Sequence, residues 1–123
     1  MSVTTNNVIV AIDDDAEMLE LYKLILERNG YQLHTFTSGS EGIEAVERIL
    51  PDLVLTDLMM PAIDGWEVAL ELKNNPRTSP IPIILCCAKV INDDDDMSLF
   101  DGTITLPVGP KELLESIKQF IDA

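Results

Sequence analysis

Apolar residues recur along this chain in two alternating rhythms. Val8-Ile9-Val10-Ala11-Ile12, Leu53-Val54-Leu55 and Ile83-Ile84-Leu85-Cys86-Cys87 are short and almost continuously apolar, as strands covered on both faces are. Tyr31 to Thr37 reads as a weaker strand and Thr103 to Leu106 as a short fifth one. Between these runs the apolar period lengthens to that of a helix. Met18, Leu21, Tyr22, Ile25 and Leu26 form one stripe over Glu17 to Asn29, and Gly30 stands where a helix would stop. Ser38-Gly39-Ser40-Glu41 has the form of a capping box that opens a second helix, with Ile43, Val46 and Ile49 facing inward and Pro51 at its end. A third helix is expected from about Gly65 to Asn74, carrying Trp66, Ala69 and Leu70. The last runs from Pro110 to Ile121 on Leu113, Leu114, Ile117, Phe120 and Ile121. Asn74 to Pro80 is a loop by its Pro and Asn content. Asn92 to Phe100, with four aspartates in a row, is too short and too acidic for a full helix; it reads as a solvated helix start. It lacks the glycine and final glutamate of a calcium loop.

Strands alternating with helices predict an α/β domain, a parallel sheet with helices on both faces. Ligand sites in such sheets lie at the carboxyl ends of the strands. Asp13-Asp14-Asp15 ends the first strand, Asp57 ends the third and Cys87 the fourth, so all are expected at one edge. Carboxylates brought together raise one another's pKa unless a cation holds them. A hard divalent ion, Mg²⁺, suits a set made only of oxygens.

At 123 residues the chain makes one domain, taken as residues 1–123 with a core of about 8–121, without internal repeats or a linker to an output domain. The net charge of −14, from 22 acidic against 8 basic residues, argues against nucleic-acid binding and against an anionic membrane surface. A cation or a partner with a basic face fits better, though solubility alone also accounts for the excess. No apolar run approaches the ~20 residues of a membrane helix. Residues 1–7 lack the layout of a secretory signal, and a cytoplasmic location is expected. Cys86 and Cys87 are neighbours whose side chains should point to opposite faces, so two buried, reduced thiols are expected. His34 reads as a surface histidine, Trp66 as a partly buried anchor, Met59 and Met60 as packing, and Asp64-Gly65 as a turn opening a helix.

The motif Asp57-Leu58-Met59-Met60-Pro61-Ala62-Ile63-Asp64-Gly65, with Asp13-Asp14 before it and Gly30-Tyr31 ahead of the second strand, resembles the receiver domain of two-component response regulators. The likeness covers about Val8 to Ile121. It implies a flavodoxin-like sheet ordered 2-1-3-4-5 and a phosphorelay signalling role rather than an enzyme's. Asp57 matches the phosphoacceptor, whose donor is a sensor histidine kinase or a histidine phosphotransfer protein. Asp14 and Asp57 match side chains that ligate Mg²⁺, Asp13 a carboxylate acting nearby, commonly through water, and Met59 a ligand through its backbone carbonyl. The output protein is unknown. It is expected to meet the face around the acidic 92–100 segment, the fifth strand and the last helix, which also suits a homodimer.

The chain departs from the family at three places. Cys87 stands where the family has Thr or Ser before an alanine, and a thiol is a weaker donor than a hydroxyl. Leu106 stands before Pro107 where the family has Lys, so the ammonium that meets the acceptor is missing; Lys89 and Lys111 are near in sequence but not at that strand end. Thr103 takes the approximate place of an aromatic residue on the fifth strand. These departures leave open a degenerate receiver that binds partners without phosphorylation. A more distant alternative is an Mg²⁺-dependent phosphohydrolase with an aspartate nucleophile, suggested by Asp13-Asp14-Asp15 but lacking a cap and a catalytic lysine.

Overall fold

The computed structural model describes residues 7–88 and 97–121. Among the described residues, five strands and four helices follow one another in the order β1 (Val8–Ile12), α1 (Ala16–Arg28), β2 (Gln32–Phe36), α2 (Gly39–Ile49), β3 (Leu53–Thr56), α3 (Gly65–Lys73), β4 (Ile83–Cys87), β5 (Gly102–Thr105) and α4 (Pro110–Lys118). The strands form one parallel sheet ordered β2-β1-β3-β4-β5. The expected order is therefore found, and it puts the ends of β1 and β3 side by side, with Ile12 opposite Thr56. The run of aspartates at 93–96 lies outside the described residues, while Met97–Phe100 close a turn through a 3.1 Å bond from Phe100 N to Met97 O.

Each helix begins where a short polar side chain, or a proline, makes a start favourable. Asp15 accepts from the amides of Glu17 and Met18 at the head of α1. Ser38 accepts from Glu41 N at α2, and Asp64 from Glu67 N at α3. At α4 a Gly109 cap precedes Pro110, whose missing N–H would have been unpaired in any case. Helix α1 ends as its glycine predicts. Gly30 has φ 91°, and Tyr31 N reaches back to Leu26 O at 3.1 Å.

The sheet divides the interior in two. Ile9, Ala11, Leu53, Leu55, Ile84, Cys86 and Ile104 pack on one face under α1 and α4, against Tyr22, Leu26, Leu113 and Ile117. Val10, Ile12, Val54, Ile83, Leu85 and Cys87 pack on the other under α2 and α3, against Ile43, Val46, Val68 and Leu72. Neither cysteine forms a disulfide, and the two are buried on opposite faces, as strand alternation requires. Two expected core positions are corrected. Leu21 and Leu70 are exposed, at 44% and 49%, while Leu19, Val68 and Leu72 take the inward positions of α1 and α3. The rest of each stripe faces inward, with Tyr22, Ile25, Leu26 and Ala69 buried, and a single leucine on the outer face is tolerated. The last helix also closes earlier than its pattern suggests, at Lys118, although Ile121 beyond it is still buried.

At the amino end of the sheet Asp101 accepts from Ile83 N at 2.8 Å and pairs with Lys73 at 3.2 Å. Lys73 also donates to the carbonyls of Ser79 and Ile81. These bonds fix the edge strand β5 to the α3–β4 connection, opposite the edge that carries the acids.

Candidate functional site

Three carboxylates meet at the carboxyl edge of the sheet. Asp13, Asp14 and Asp57 each offer an oxygen within 4.8 Å of the others; Asp13 is buried, Asp14 exposed and Asp57 half-buried. The backbone that delivers them continues the strand ladders, with Asp13 N bonded to Phe36 O at 3.1 Å and Asp57 N to Ile12 O at 2.9 Å. Asp13 is held by the amide of Asp15, which donates to its Oδ1 at 2.9 Å. Thus Asp15 caps α1 with its side chain and orients Asp13 with its backbone.

Beyond Asp57 the chain turns sharply into α3. Gly65 N donates to Leu58 O at 2.8 Å, and Gly65 lies so close to β3 that a Cβ there would stand 2.4 Å from Asp57 O. Only a residue without a side chain lets α3 begin against the strand end. The expectation that Asp64-Gly65 forms a turn and helix start therefore holds. Leu58 and Met60 anchor this loop in the α2–α3 core, while the Met59 side chain is 67% exposed.

The electrostatics of the cluster are unfavourable without a cation. Burial pushes Asp13 up from an ordinary 3.8 to about 6; the Asp15 amide opposes this, and the charges of Asp57, Asp14 and Asp15 add to it. Asp57 is also raised, first by burial, with the Leu58 amide opposing and Asp14 and Asp15 reinforcing. No described lysine or arginine pairs with the three acids. An oxygen-only set that resists its own ionisation suits a hard divalent cation, and these residues fit Mg²⁺.

The other expected site positions lie around this cluster. Cys87 is the last residue of β4, 5% exposed, on the α2–α3 side. Leu106 follows β5 directly, donates its N–H to Cys87 O at 3.0 Å, and rests partly buried against the α1–α4 core. Its peptide bond to Pro107 is cis. Lys111 is exposed in the first turn of α4 and Lys89 lies outside the described residues. From sequence Tyr22 reads as one more apolar position, and nothing in the pattern marks the tight seat of Gly65. A tyrosine in an otherwise aliphatic stripe was the available signal for the first.

Comparison with known proteins agrees with this geometry. The family model of the response regulator receiver domain matches residues 9–118. The heme response regulator HssR of Staphylococcus epidermidis is 36% identical over 110 residues, which is 87% of this chain and 48% of that protein. Among solved structures, the N-terminal receiver domain of a response regulator receiver protein from Methanoculleus marisnigri is 34% identical, with a TM-score of 0.77 over 91% of this chain and 94% of that one. The response regulator TrrA of Thermotoga maritima, solved in complex with Mg²⁺-BeF, is 30% identical with a TM-score of 0.85 over 93% and 98%. This chain belongs to the response regulator receiver domain family, the phosphoacceptor signalling modules of two-component systems, and has their flavodoxin-like fold. It spans about half the length of HssR. Among the described residues no helix is long and apolar enough to cross a membrane.

Proposed function

We propose that this receiver accepts a phosphoryl group on Asp57 while Asp13, Asp14, Asp57 and the backbone carbonyl of Met59 hold Mg²⁺. The observation that carries the reading is the convergence of three carboxylates within 4.8 Å at the sheet's carboxyl edge. The donor would be the phosphohistidine of a sensor kinase or phosphotransfer protein. An Asp57 carboxylate oxygen attacks phosphorus in line; the new O–P bond forms as the N–P bond to the histidine breaks, and the imidazole leaves. When bound, Mg²⁺ supplies positive charge against the phosphoryl oxygens and the acids. Burial raises the basicity of Asp57 and so its nucleophilicity, while Asp15 N–H keeps Asp13 in place beside it.

The switch that follows would be weaker than in the family pattern. Cys87 offers a thiol where a hydroxyl would donate to the phosphoryl group, and Leu106 offers only methyls where an ammonium would stand. A hydrogen bond to a charged group contributes about 1.5–3 kcal/mol, so losing the lysine alone weakens the phosphorylated conformation's advantage by roughly one to two decades. Output in this reading passes through protein contacts of the β5–α4 face, in a cytoplasmic setting, from a receiver domain with its core over about 8–121.

Intact-mass spectrometry after incubation with acetyl phosphate and Mg²⁺ tests the assignment. One phosphoryl adduct is expected on the wild type and none on Asp57→Asn. Leu106 specifically favours a second reading, a receiver that signals by contact alone. That reading takes over if no adduct forms while Mg²⁺ still binds and partner binding is unchanged in Asp57→Asn.

A further inference from the structure

A polar side chain that the phosphotransfer scheme does not use is buried in the core under α1 and α4. Tyr22, on the inward face of α1, is 2% exposed. Its hydroxyl is the buried side-chain oxygen among the described residues that has no hydrogen-bond partner. The Cys86 thiol lies beside it and is at most a weak sulfur partner, which leaves the hydroxyl without a nitrogen or oxygen to bond. Phenylalanine would fill nearly the same volume without leaving a buried hydroxyl unpaired, so the oxygen calls for an explanation.

Strand alternation shows what lies above it. Ala11, Leu55, Cys86 and Ile104 all face α1 and α4. Two residues further along their strands, Asp13, Asp57 and Leu106 return to that same face. Tyr22 thus packs on the face of the sheet that these residues share, within range of the charges of Asp13 and Asp57, on the side where Leu106 provides no donor. Burial, Cys86 and the charges of Asp13 and Asp57, in that order, hold its proton tightly.

We propose that Tyr22 is a positioning residue of the loaded site, donating a hydrogen bond to the carboxylate of Asp13 when a divalent cation draws the acids together. One oxygen of Asp13 already accepts from Asp15 N, and Tyr22 would take the other. The hydroxyl would thus be a neutral donor at a site that no described cationic side chain reaches. This rests on the metal reading given under Proposed function.

Isothermal titration with Mg²⁺ on the full chain, paired with thermal melting in a chelator, tests it. Tyr22→Phe should melt at or above the wild-type temperature without metal, yet bind Mg²⁺ about three- to tenfold more weakly. Cys86→Val, which alters the same pocket but keeps the hydroxyl, should bind within about twofold of the wild type. Equal affinity in wild type and Tyr22→Phe overturns the proposal while leaving the metal site intact. Equal weakening in Cys86→Val also overturns it, since pocket shape and not the hydroxyl would then matter. A wild type that binds no Mg²⁺, or an Asp14→Asn variant that binds as tightly, brings down the metal reading and this one with it.

Discussion

Asp13 is 5% exposed, yet it has to be ionised to ligate a cation. Its pKa is raised from 3.8 to about 6, so the folded state holds that proton more tightly than the unfolded state does. The stabilising contribution is complete below about pH 4 and is lost as the pH rises through about 6. Each tenfold change in proton affinity is about 1.4 kcal/mol, which puts the cost of the ionised group on the order of 2–3 kcal/mol. Asp13→Asn should therefore raise the metal-free Tm at pH 7.5 and flatten its dependence between pH 4 and about 6. Added Mg²⁺ should raise the Tm of the wild type more than that of the variant; thermal melts with and without the ion measure both. Leu106→Lys tests the missing ammonium. Leu106 already rests partly in the α1–α4 core, so a lysine stem can lie along the same surface while its head reaches the acids. Acetyl-phosphate labelling of Asp57 should then speed up by about 10- to 100-fold, read as adduct against time.

The joint between β3 and α3 is backbone against backbone. A Cβ at Gly65 would stand 2.4 Å from Asp57 O and 2.9 Å from Leu58 Cα, both backbone atoms that cannot swing aside. Gly65→Ala should cost about 1–3 kcal/mol, checked by denaturant unfolding, and should lower Mg²⁺ affinity because the strain falls on the peptide that carries Asp57. Elements of this kind were legible in sequence where one residue carries a strong local rule. Gly30 stopped α1, Ser38 opened α2 and Asp64 opened α3, each as its chemistry requires. Rotation about a helix axis was less legible. Leu21 and Leu70 looked as fit for the core as Leu19 and Leu72, and only packing against the sheet chooses between them.

Across the whole molecule, the parallel sheet and its acidic edge were readable because three features coincide: apolar runs, strand-end aspartates and a loop of Met, Pro, Asp and Gly. The polar pair in the α1–α4 core was not readable. Tyr22 and Cys86 are 64 residues apart in sequence and meet only because α1 crosses the face to which Cys86 points. The net charge of −14 adds a diffuse repulsion to the local one at the site, which any bound cation or basic partner relieves. The end of β4 has one more consequence. Cys86 belongs to the α1–α4 core and Cys87 to the α2–α3 core, a single peptide step apart. A rotation of that strand about its own axis moves the two sulfurs in opposite senses. Crowding relieved on one side is imposed on the other, so the end of β4 behaves as a seesaw and neither core can repack privately.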